Sequence, residues 1–382
     1  MSSVVPASRF APKPEWLKVR APGGDTYHHL KQTFRQLDLH TVCEEARCPN
    51  VGECWREGTA TVMLLGDVCT RGCRFCAVTS GDPRGFVDTR EPEHVARAIA
   101  RLSLQYVVMT MVNRDDLLDG GADHVGRTVR RLKDLRPDIL VETLVGDFAG
   151  HLSAVDVVVD SGIDVFAHNI ETIRRLTRTV RDARSNYDQS LAVLERAKKH
   201  AQARGLSGQL TKSSIMVGVG ETDDEVLDAM RDLRGVGVDV VTVGQYLRPT
   251  PKHLEVARFV TPETFAMYER EALTMGFVYV ASGPLVRSSY RAAEVFLRGI
   301  LRAGGNHGAE GDGVQAALDA RMDVAKREAQ RVATELGFGA QGAEGDPKPQ
   351  VFDQREETVP LLAISEGASA SGLVPASSLV RR

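Results

Sequence analysis

The residues of this sequence that could do chemistry are its cysteines, all of which lie between positions 43 and 76. The 382-residue chain has 6 cysteines, and they fall into two groups of three. The first group has C-x4-C-x5-C spacing and the second has C-x3-C-x2-C spacing: Cys43, Cys48 and Cys54, then Cys69, Cys73 and Cys76. No cysteine lies outside these groups, so each trio needs its own chemical explanation.

Disulfides, zinc and iron–sulfur clusters are the candidate chemistries for two such trios. Disulfides are typical of small secreted domains, whereas this chain is long, shows no secretory signal and would close its bridges over very short loops. Structural zinc takes four ligands, and neither trio has a fourth cysteine or a nearby pair of histidines. A four-iron cluster on three thiolates fits better, because one iron stays open to a non-protein or unusual ligand. The spacing favours iron–sulfur chemistry and leaves zinc as an alternative.

The composition is that of a globular protein large enough for one barrel-sized catalytic domain. Hydrophobic residues make up 42% of the chain, and the formal net charge is −3. This charge argues against a general basic surface for nucleic acid. No stretch has the apolar length of a membrane span, and the N-terminus has no apolar signal core. We therefore predict a cytoplasmic protein, where thiolates stay reduced, with no nucleic-acid or membrane partner.

A repeated strand–turn–helix pattern from about residue 60 to 282 predicts a parallel α/β fold. The predicted strands cover 61–66, 106–112, 139–145, 164–169, 213–220, 239–246 and 277–282. The predicted helices cover 91–104, 122–135, 148–161, 187–204, 222–235 and 261–275. Capping residues such as Thr222 and Thr261 open two of these helices. Six consecutive units predict a partial parallel (β/α)6 barrel of the TIM type, with N- and C-terminal extensions.

Polar and glycine-rich segments follow the predicted strands, at the end where parallel barrels carry their functional loops. The second cysteine trio follows the first strand, and further segments of this kind cover 113–122, 168–172, 218–222 and 244–249. Any one of them is equally well explained by the usual polarity of loops. Together they predict a functional site on this rim.

The second trio, with Phe75 directly before its last cysteine, resembles the radical S-adenosylmethionine (SAM) superfamily. Further motifs narrow the resemblance to the lipoyl synthase family: LHTVCEEARCPNVGECW, RDDLLDGGA, HNIET, GVGET, GQYLRP and VRSSYRA. The similarity extends from about residue 16 to about residue 293. The upstream C-x4-C-x5-C trio separates this family from relatives such as biotin synthase and the methylthiotransferases.

The resemblance implies two four-iron clusters and SAM as cofactors, in a barrel of the radical SAM type. The second trio would hold the cluster whose open iron binds SAM, with Phe75 beside the adenine. The first trio would hold an auxiliary cluster with Ser288 as its fourth ligand, although from spacing alone Ser288 or Ser289 is better explained as a helix cap. Further candidates for contacting SAM lie at strand ends and in the basic run described below: Thr110, Asn169, Glu171, Arg181 and residues of the GVGE turn.

The implied activity is insertion of two sulfur atoms, at C6 and C8 of an octanoyl chain on a lysine of a lipoyl carrier domain. No side-chain acid or base can remove hydrogens from such unactivated carbons, so a primary carbon radical derived from SAM is implied, with the auxiliary cluster as sulfur donor. The implied partners are octanoylated 2-oxoacid dehydrogenase E2 subunits and glycine cleavage H protein, a flavodoxin or ferredoxin reductant, and an iron–sulfur repair carrier.

Two other functions stay open at this point. A methylthiotransferase would share the barrel and both clusters, but its usual RNA-binding appendage is not evident in the sequence. A non-enzymatic electron carrier would explain the cysteines but not a barrel with a polar rim. Formation of deoxyadenosine from SAM separates a carrier from an enzyme.

The domain organisation predicted from these patterns has four parts: 1–57 with the auxiliary cysteines, 58–282 as the barrel, 283–303 with Ser288, and 304–382 as a partly disordered extension. One amphipathic helix is predicted near 312–337. A run of arginines indicates a solvated helix face or a docking site for an acidic protein domain: Arg174, Arg175, Arg178, Arg181 and Arg184. Met111, Asn113 and Ser214 depart from the family's usual residues.

Overall fold

The computed structural model of the protein describes residues 5–6, 14–17, 32, 41, 50–56, 59–206, 208–289, 292 and 312–336. The chain divides into two units, Met1–Gln341 and Gly342–Arg382, and the second unit lies entirely outside the described residues. Cys43, Cys48 and residues 337–382 also lie outside them. The domain boundaries drawn from the sequence therefore stay predictions.

Parallel strands form the central sheet of the described chain. They are β1 Thr59–Leu64, β2 Tyr106–Met111, β3 Leu140–Leu144, β4 Val165–Ala167, β5 Leu210–Val217, β6 Val240–Gln245 and β7 Tyr279–Gly283. The order across the sheet is β7-β6-β5-β4-β3-β2-β1, so neighbours in sequence are neighbours in space. All seven predicted strands are confirmed. Within the described residues β1 and β7 do not pair with each other, so the sheet is an open, partial barrel.

Helices connect successive strands and cover one face of the sheet, and two further helices precede β1 and follow β7. They are α1 Val51–Arg56, α2 Glu91–Ala100, α3 Ala122–Leu135, α4 Leu152–Val159, α5 Thr177–Val180, α6 Tyr187–Ala203, α7 Asp223–Gly235, α8 Pro262–Thr274 and α9 Asp312–Glu335. The predicted capping residues are confirmed: Thr222 and Glu225 form a reciprocal capping box at α7, and Thr261 caps α8. In the described part of the chain no helix is long and apolar enough to cross a bilayer.

The predicted start of one helix, at residue 148, was wrong. The chain from Phe148 to Gly150 has positive φ angles of 48°, 52° and 85°, which an α-helix cannot contain, so α4 begins only at Leu152. A short turn occupies the intervening residues, and Asp147 caps it by accepting from the N–H of Ala149.

The two faces of the sheet have separate hydrophobic cores because side chains alternate along each strand. Val107 and Met109 of β2 pack with residues of the helices, whereas Tyr106 and Val108 pack with residues of β3 to β6. A buried ion pair lies on this second face, where Lys212 of β5 reaches over β4 to Glu142 of β3 at 2.8 Å. The Tyr106 hydroxyl donates to the same carboxylate.

Candidate functional site

The cysteine loop, Cys69–Cys76, follows β1 at the C-terminal end of the sheet. A short parallel pairing of Val68–Cys69 with Thr79–Ser80 closes its base, and the N–H of Gly81 donates to the carbonyl of Cys69 at 2.9 Å. Its three cysteines are half-exposed and free. A disulfide is therefore wrong for these three cysteines.

Backbone N–H groups point at two of the loop's sulfurs. The N–H of Arg71 lies 3.4 Å from Cys69 Sγ, and the N–H of Asp182 lies 3.3 Å from Cys73 Sγ. Such donors favour the charged thiolate. Burial acts in the opposite direction: it raises the pKa of Cys73, and it raises the pKa of Cys76 to about 12. The thiols of Cys73 and Cys76 therefore need a cationic metal centre to be held as thiolates at neutral pH.

Across the described ranges, no three His, Cys, Asp or Glu side chains form a group that could hold a single metal ion. The cysteine loop supplies three thiols on one short segment, which is the set that a four-iron cluster with one open iron needs, because each thiolate binds a different iron. That these cysteines hold such a cluster stays a prediction.

A buried arginine inside the cysteine loop fixes it to the ends of two neighbouring strands. Arg71 is 3% exposed and donates to Asp115, after β2, at 2.9 and 2.7 Å. It also donates to Asp147, after β3, at 2.7 and 2.6 Å. Burial acts to raise the pKa of both carboxyls, but hydrogen bonds and charge interactions, chiefly with Arg71, together outweigh it and leave both pKa values below their usual range. We call these three residues the Arg71 network.

The residues of the RDDLLDGGA motif mainly stabilise the backbone around the Arg71 network. Arg114 is buried, makes a two-point ion pair with Asp116 at 2.8 Å, and donates to the carbonyl of Phe86. The N–H and hydroxyl of Thr70 both donate to the main-chain carbonyl of Asn113 at 2.9 Å. Every residue has a main-chain carbonyl, so the contact does not depend on the side chain. Having asparagine at 113 in place of the family's usual residue therefore leaves it intact.

The far side of the cysteine loop is held by the segment after β6. His253 Nε2 donates to the carbonyl of Cys76 at 2.9 Å, and the N–H of Leu254 donates to the carbonyl of Arg74 at 2.9 Å. Phe75, half-buried, packs against an apolar cluster that contains Tyr246 and Val180. Its predicted place beside an adenine stays a prediction.

Asn169 and Glu171 lie directly after β4 and contact each other, with Asn169 Nδ2 donating to Glu171 Oε1 at 3.1 Å. Glu171 has a φ of 66°, a strained conformation for a residue with a side chain. Main-chain hydrogen bonds to Ser214 and Met216 of β5 hold it there. Burial raises the pKa of Glu171, and its charge interacts with Cys73, Cys76 and Arg181. Strain of this kind is typical of functional positions.

Arg181 faces the same site from the opposite side. It is buried and donates to Ser190 Oγ at 2.9 Å, and this hydroxyl in turn bonds to His168 Nε2 at 2.9 Å. Its charge interacts favourably with Glu171, Asp147 and Cys73. The structure thus brings Phe75, Asn169, Glu171 and Arg181 to the cysteine loop.

Thr110 and Glu221 use their polar groups within the fold. The Thr110 hydroxyl donates to the carbonyl of Leu144 at 3.0 Å, which joins β2 to β3. The Glu221 carboxylate accepts the N–H groups of Gly218 and Val219 in its own turn, at 2.7 and 2.9 Å. No contact in the described chain links either side chain to the cysteine loop, so their roles as SAM contacts stay predictions.

The arginine run does not form one solvated face. Three of its members make surface ion pairs: Arg174 with Asp188 and Asp232, Arg175 with Glu225, and Arg184 with Asp182 and Asp115. Arg181 is buried because α5 ends at Val180 and the chain turns inward. Arg178 is exposed and has no carboxylate partner among the residues described.

The structure describes two of the four predicted auxiliary ligands. Cys54 is buried on α1, and Ser288 is half-buried in the segment after β7. Asn50, just before α1, donates to the carbonyl of Leu285 at 2.6 Å. This bond places the segment that carries Cys54 against the segment that carries Ser288.

Five residues around the cysteine loop were not identified from the sequence: Arg71, Asp115, Asp147, Asp182 and His253. An arginine between two cysteines, and acidic residues directly after strand ends, are signals that indicate such contacts. Sequence alone does not pair them.

Two sequence families match the chain. The radical SAM superfamily matches residues 63–233, and the N-terminal domain of lipoyl synthase of the radical SAM family matches residues 7–48. A lipoyl synthase of Sorangium cellulosum is 66% identical over 387 residues, covering 98% of this chain and 100% of that protein. A lipoyl synthase of Thermus thermophilus is 56% identical over 290 residues, covering 76% of this chain and 88% of that protein.

Among solved structures, methylornithine synthase aligns with a TM-score of 0.45 and 14% identity, covering 77% of this chain and 91% of that one. This similarity is too low to support an argument. Family membership rests instead on the curated relatives, which are named as lipoyl synthases and not as methylthiotransferases or electron carriers. With 66% identity over the full length of such a relative, the chain belongs to the lipoyl synthase family of radical SAM enzymes.

Proposed function

We propose that this enzyme inserts two sulfur atoms, at C6 and C8, into an octanoyl group on a lysine of a lipoyl carrier domain. Its family implies an octanoylated lipoyl domain as substrate and a four-iron cluster with SAM as cofactors. When bound, these cofactors supply the primary carbon radical that unactivated C–H bonds require. A second cluster, on Cys43, Cys48, Cys54 and Ser288, is the proposed sulfur donor.

One observation carries the proposal of a second cluster. The hydrogen bond from Asn50 to Leu285 joins two segments that are 235 positions apart in sequence. One segment leads into the helix with Cys54, and the other leads from β7 to Ser288. Because β1 and β7 are parallel, the cysteine loop and the Ser288 segment both follow C-terminal strand ends. A substrate that lies between the two clusters needs both cluster sites on the same rim of the sheet.

The residues of the chain would position SAM through opposite charges. We assign Asn169 and Glu171 to the ribose hydroxyls or the ammonium group of SAM, since a carboxylate accepts from either. Arg181 interacts electrostatically with the Glu171 carboxylate, and Phe75 would offer an apolar surface to the adenine. Phe75 packs with Val180 and Tyr246 on this side of the cysteine loop.

The proposed protein partners follow from this chemistry. Carrier domains of 2-oxoacid dehydrogenase E2 subunits and the glycine cleavage H protein present the octanoyl group. A flavodoxin or ferredoxin supplies electrons, and an iron–sulfur carrier rebuilds the cluster that donates sulfur.

Cysteine variants test the proposal in oxygen-free assays with SAM, dithionite and an octanoylated peptide. The reconstituted protein is expected to bind about eight irons per chain, from two four-iron clusters. Cys69→Ala should abolish deoxyadenosine formation. Cys48→Ala should keep partial SAM cleavage and lose sulfur insertion, as read by peptide mass. Sulfur insertion by Cys48→Ala would contradict the donor role.

A further inference from the structure

Three exposed cations without carboxylate partners surround the cysteine loop. Arg74 lies within the loop, Arg178 is on α5, and Lys252 follows β6. Within the described ranges, none of the three forms an ion pair. Other exposed arginines do, as Arg175 does with Glu225 and Arg196 does with Asp156. Exposed arginines without an ion pair occur elsewhere in the described chain, as at Arg270, but around the cysteine loop three such cations lie close to one another.

Backbone contacts bring these cations together. The N–H of Arg74 donates to the carbonyl of Val180 at 3.0 Å, and its guanidinium donates to the carbonyl of Thr179 at 3.2 Å. Arg178 is one residue before Thr179. On the other side, the N–H of Leu254 donates to the carbonyl of Arg74, and Lys252 is two residues before Leu254. The cations thus flank the loop on two sides.

The cysteine loop is accessible at this surface. Gly72 and Ala77 are exposed, and the three cysteines are half-exposed. A redox centre held by the loop therefore lies near the surface, where a partner's electron carrier can approach it. Local positive charge on a chain of net charge −3 attracts and orients an acidic partner more than it adds affinity for proteins in general.

We propose that Arg74, Arg178 and Lys252 form a docking surface for a small acidic one-electron donor protein of the flavodoxin class, an inference that rests on the proposed function. The donor would lose one electron, and the sulfonium of SAM would gain it through the cluster and split into methionine and a 5′-deoxyadenosyl radical. An acidic carrier domain is the competing occupant. It fits less well, because its octanoyl-lysine must also reach the Ser288 segment, whereas these cations lie on segments bonded to the cysteine loop.

A charge-reversal variant tests the surface. Arg178→Glu with Lys252→Glu leaves the loop itself unchanged, and Arg270→Glu on α8 reverses another exposed arginine as a matched control. Binding of oxidised flavodoxin, followed by its flavin fluorescence, should weaken on the order of tenfold in the double variant and lose most of its salt dependence. Deoxyadenosine formation driven by reduced flavodoxin should slow by a similar factor. Formation driven by dithionite should not change.

Unchanged flavodoxin binding in the double variant would overturn the inference. If the double variant keeps flavodoxin binding but loses its dithionite-driven activity on an octanoylated carrier domain, the surface binds the substrate instead. The charge-conserving variant Arg178→Lys with Lys252→Arg must keep flavodoxin binding. If the unsubstituted protein cleaves SAM without inserting sulfur, the proposed function fails while the docking result stands.

Discussion

Arg71 and Asp147 form a fully buried two-point ion pair, with both terminal guanidinium nitrogens donating to the two carboxylate oxygens at 2.7 and 2.6 Å. The side chains are 2% and 0% exposed. The pair joins the cysteine loop after β1 to the chain after β3. Because Arg71 lies between Cys69 and Cys73, its position constrains the spacing of two sulfurs.

Replacing Arg71 with methionine should destabilise the protein by about 3–5 kcal/mol, because the buried carboxylate of Asp147 loses its counter-charge and half-buried Asp115 keeps only its ion pair with Arg184. The Arg71→Lys variant keeps the positive charge but lacks the planar guanidinium group that bonds both carboxylates. Its stability should therefore lie between that of the parent and that of Arg71→Met. Unfolding of the reconstituted protein by denaturant measures the difference. The electron paramagnetic resonance spectrum of its reduced cluster should change in Arg71→Met.

A variant of Arg71 that unfolds like the parent and keeps the parent spectrum would show that the network does not position the loop. The Arg175→Met variant, which removes an exposed ion pair with Glu225, is the matched control. It should change the stability little, since exposed ion pairs contribute little.

The Lys212–Glu142 pair gives a second stability prediction. Lys212→Met leaves a carboxylate buried without a partner cation and should cost about 3–5 kcal/mol in urea unfolding. Adding Glu142→Gln removes that charge while keeping an acceptor for Tyr106, so the double variant should recover most of the loss. A double variant less stable than the single one would contradict this reading of the pair.

The helices and strands could be predicted because apolar residues recur along the sequence at the period of the element whose buried face they form. Strand β1, predicted at 61–66, covers 59–64, and the predicted helix 222–235 is α7, Asp223–Gly235. Tertiary contacts could not be predicted. Arg71 meets Asp115 and Asp147 across 44 and 76 positions, and no periodicity encodes such pairs. Local geometry was also missed where the backbone breaks its pattern, as at Phe148.

The arginine run shows the same limit in one segment. Spacing alone treats Arg178 and Arg181 alike, but α5 ends between them. The extended backbone at Arg181, with a ψ of 169°, turns its side chain into the site, and Arg178 stays on the surface. The cysteine ligand sets, by contrast, rest on spacing that is local to the sequence. Of the first set only Cys54 lies within the described chain, so that set stays a prediction.

Stability should fall as the pH is lowered from about 6.5 to about 4, through His168. Burial, and next the charge of Arg181, lower the pKa of His168 from 6.5 to about 4. In this window the unfolded chain binds a proton that the folded one does not, so folding is most favoured above 6.5. The shift corresponds to about 3 kcal/mol. Urea unfolding at pH 7 and pH 4 measures it.

The variant His168→Gln is the control for this pH dependence. It keeps a donor for Val145 and an acceptor for Ser190 but does not titrate. Its stability should change less between pH 7 and pH 4 than that of the parent. Equal pH dependence in both proteins would assign the effect to carboxyl groups such as Asp147 instead.

Gly244 should be needed for sulfur insertion but not for SAM cleavage. A Cβ at this position would lie 2.1 Å from the carbonyl oxygen of Val286, so Gly244→Ala must displace the segment that carries Ser288. A displacement of about 1 Å at a reacting centre costs on the order of a hundredfold in rate. The cysteine loop is fixed to the ends of β2 and β3 and to residues further along the segment after β6, and none of these hydrogen bonds involves Gly244, so dithionite-driven deoxyadenosine formation should stay near the parent rate. Gly235→Ala is the matched control, because a Cβ there meets nothing within 4 Å. Gly244→Ala with unchanged sulfur insertion would mean that the Ser288 segment does not hold the sulfur donor.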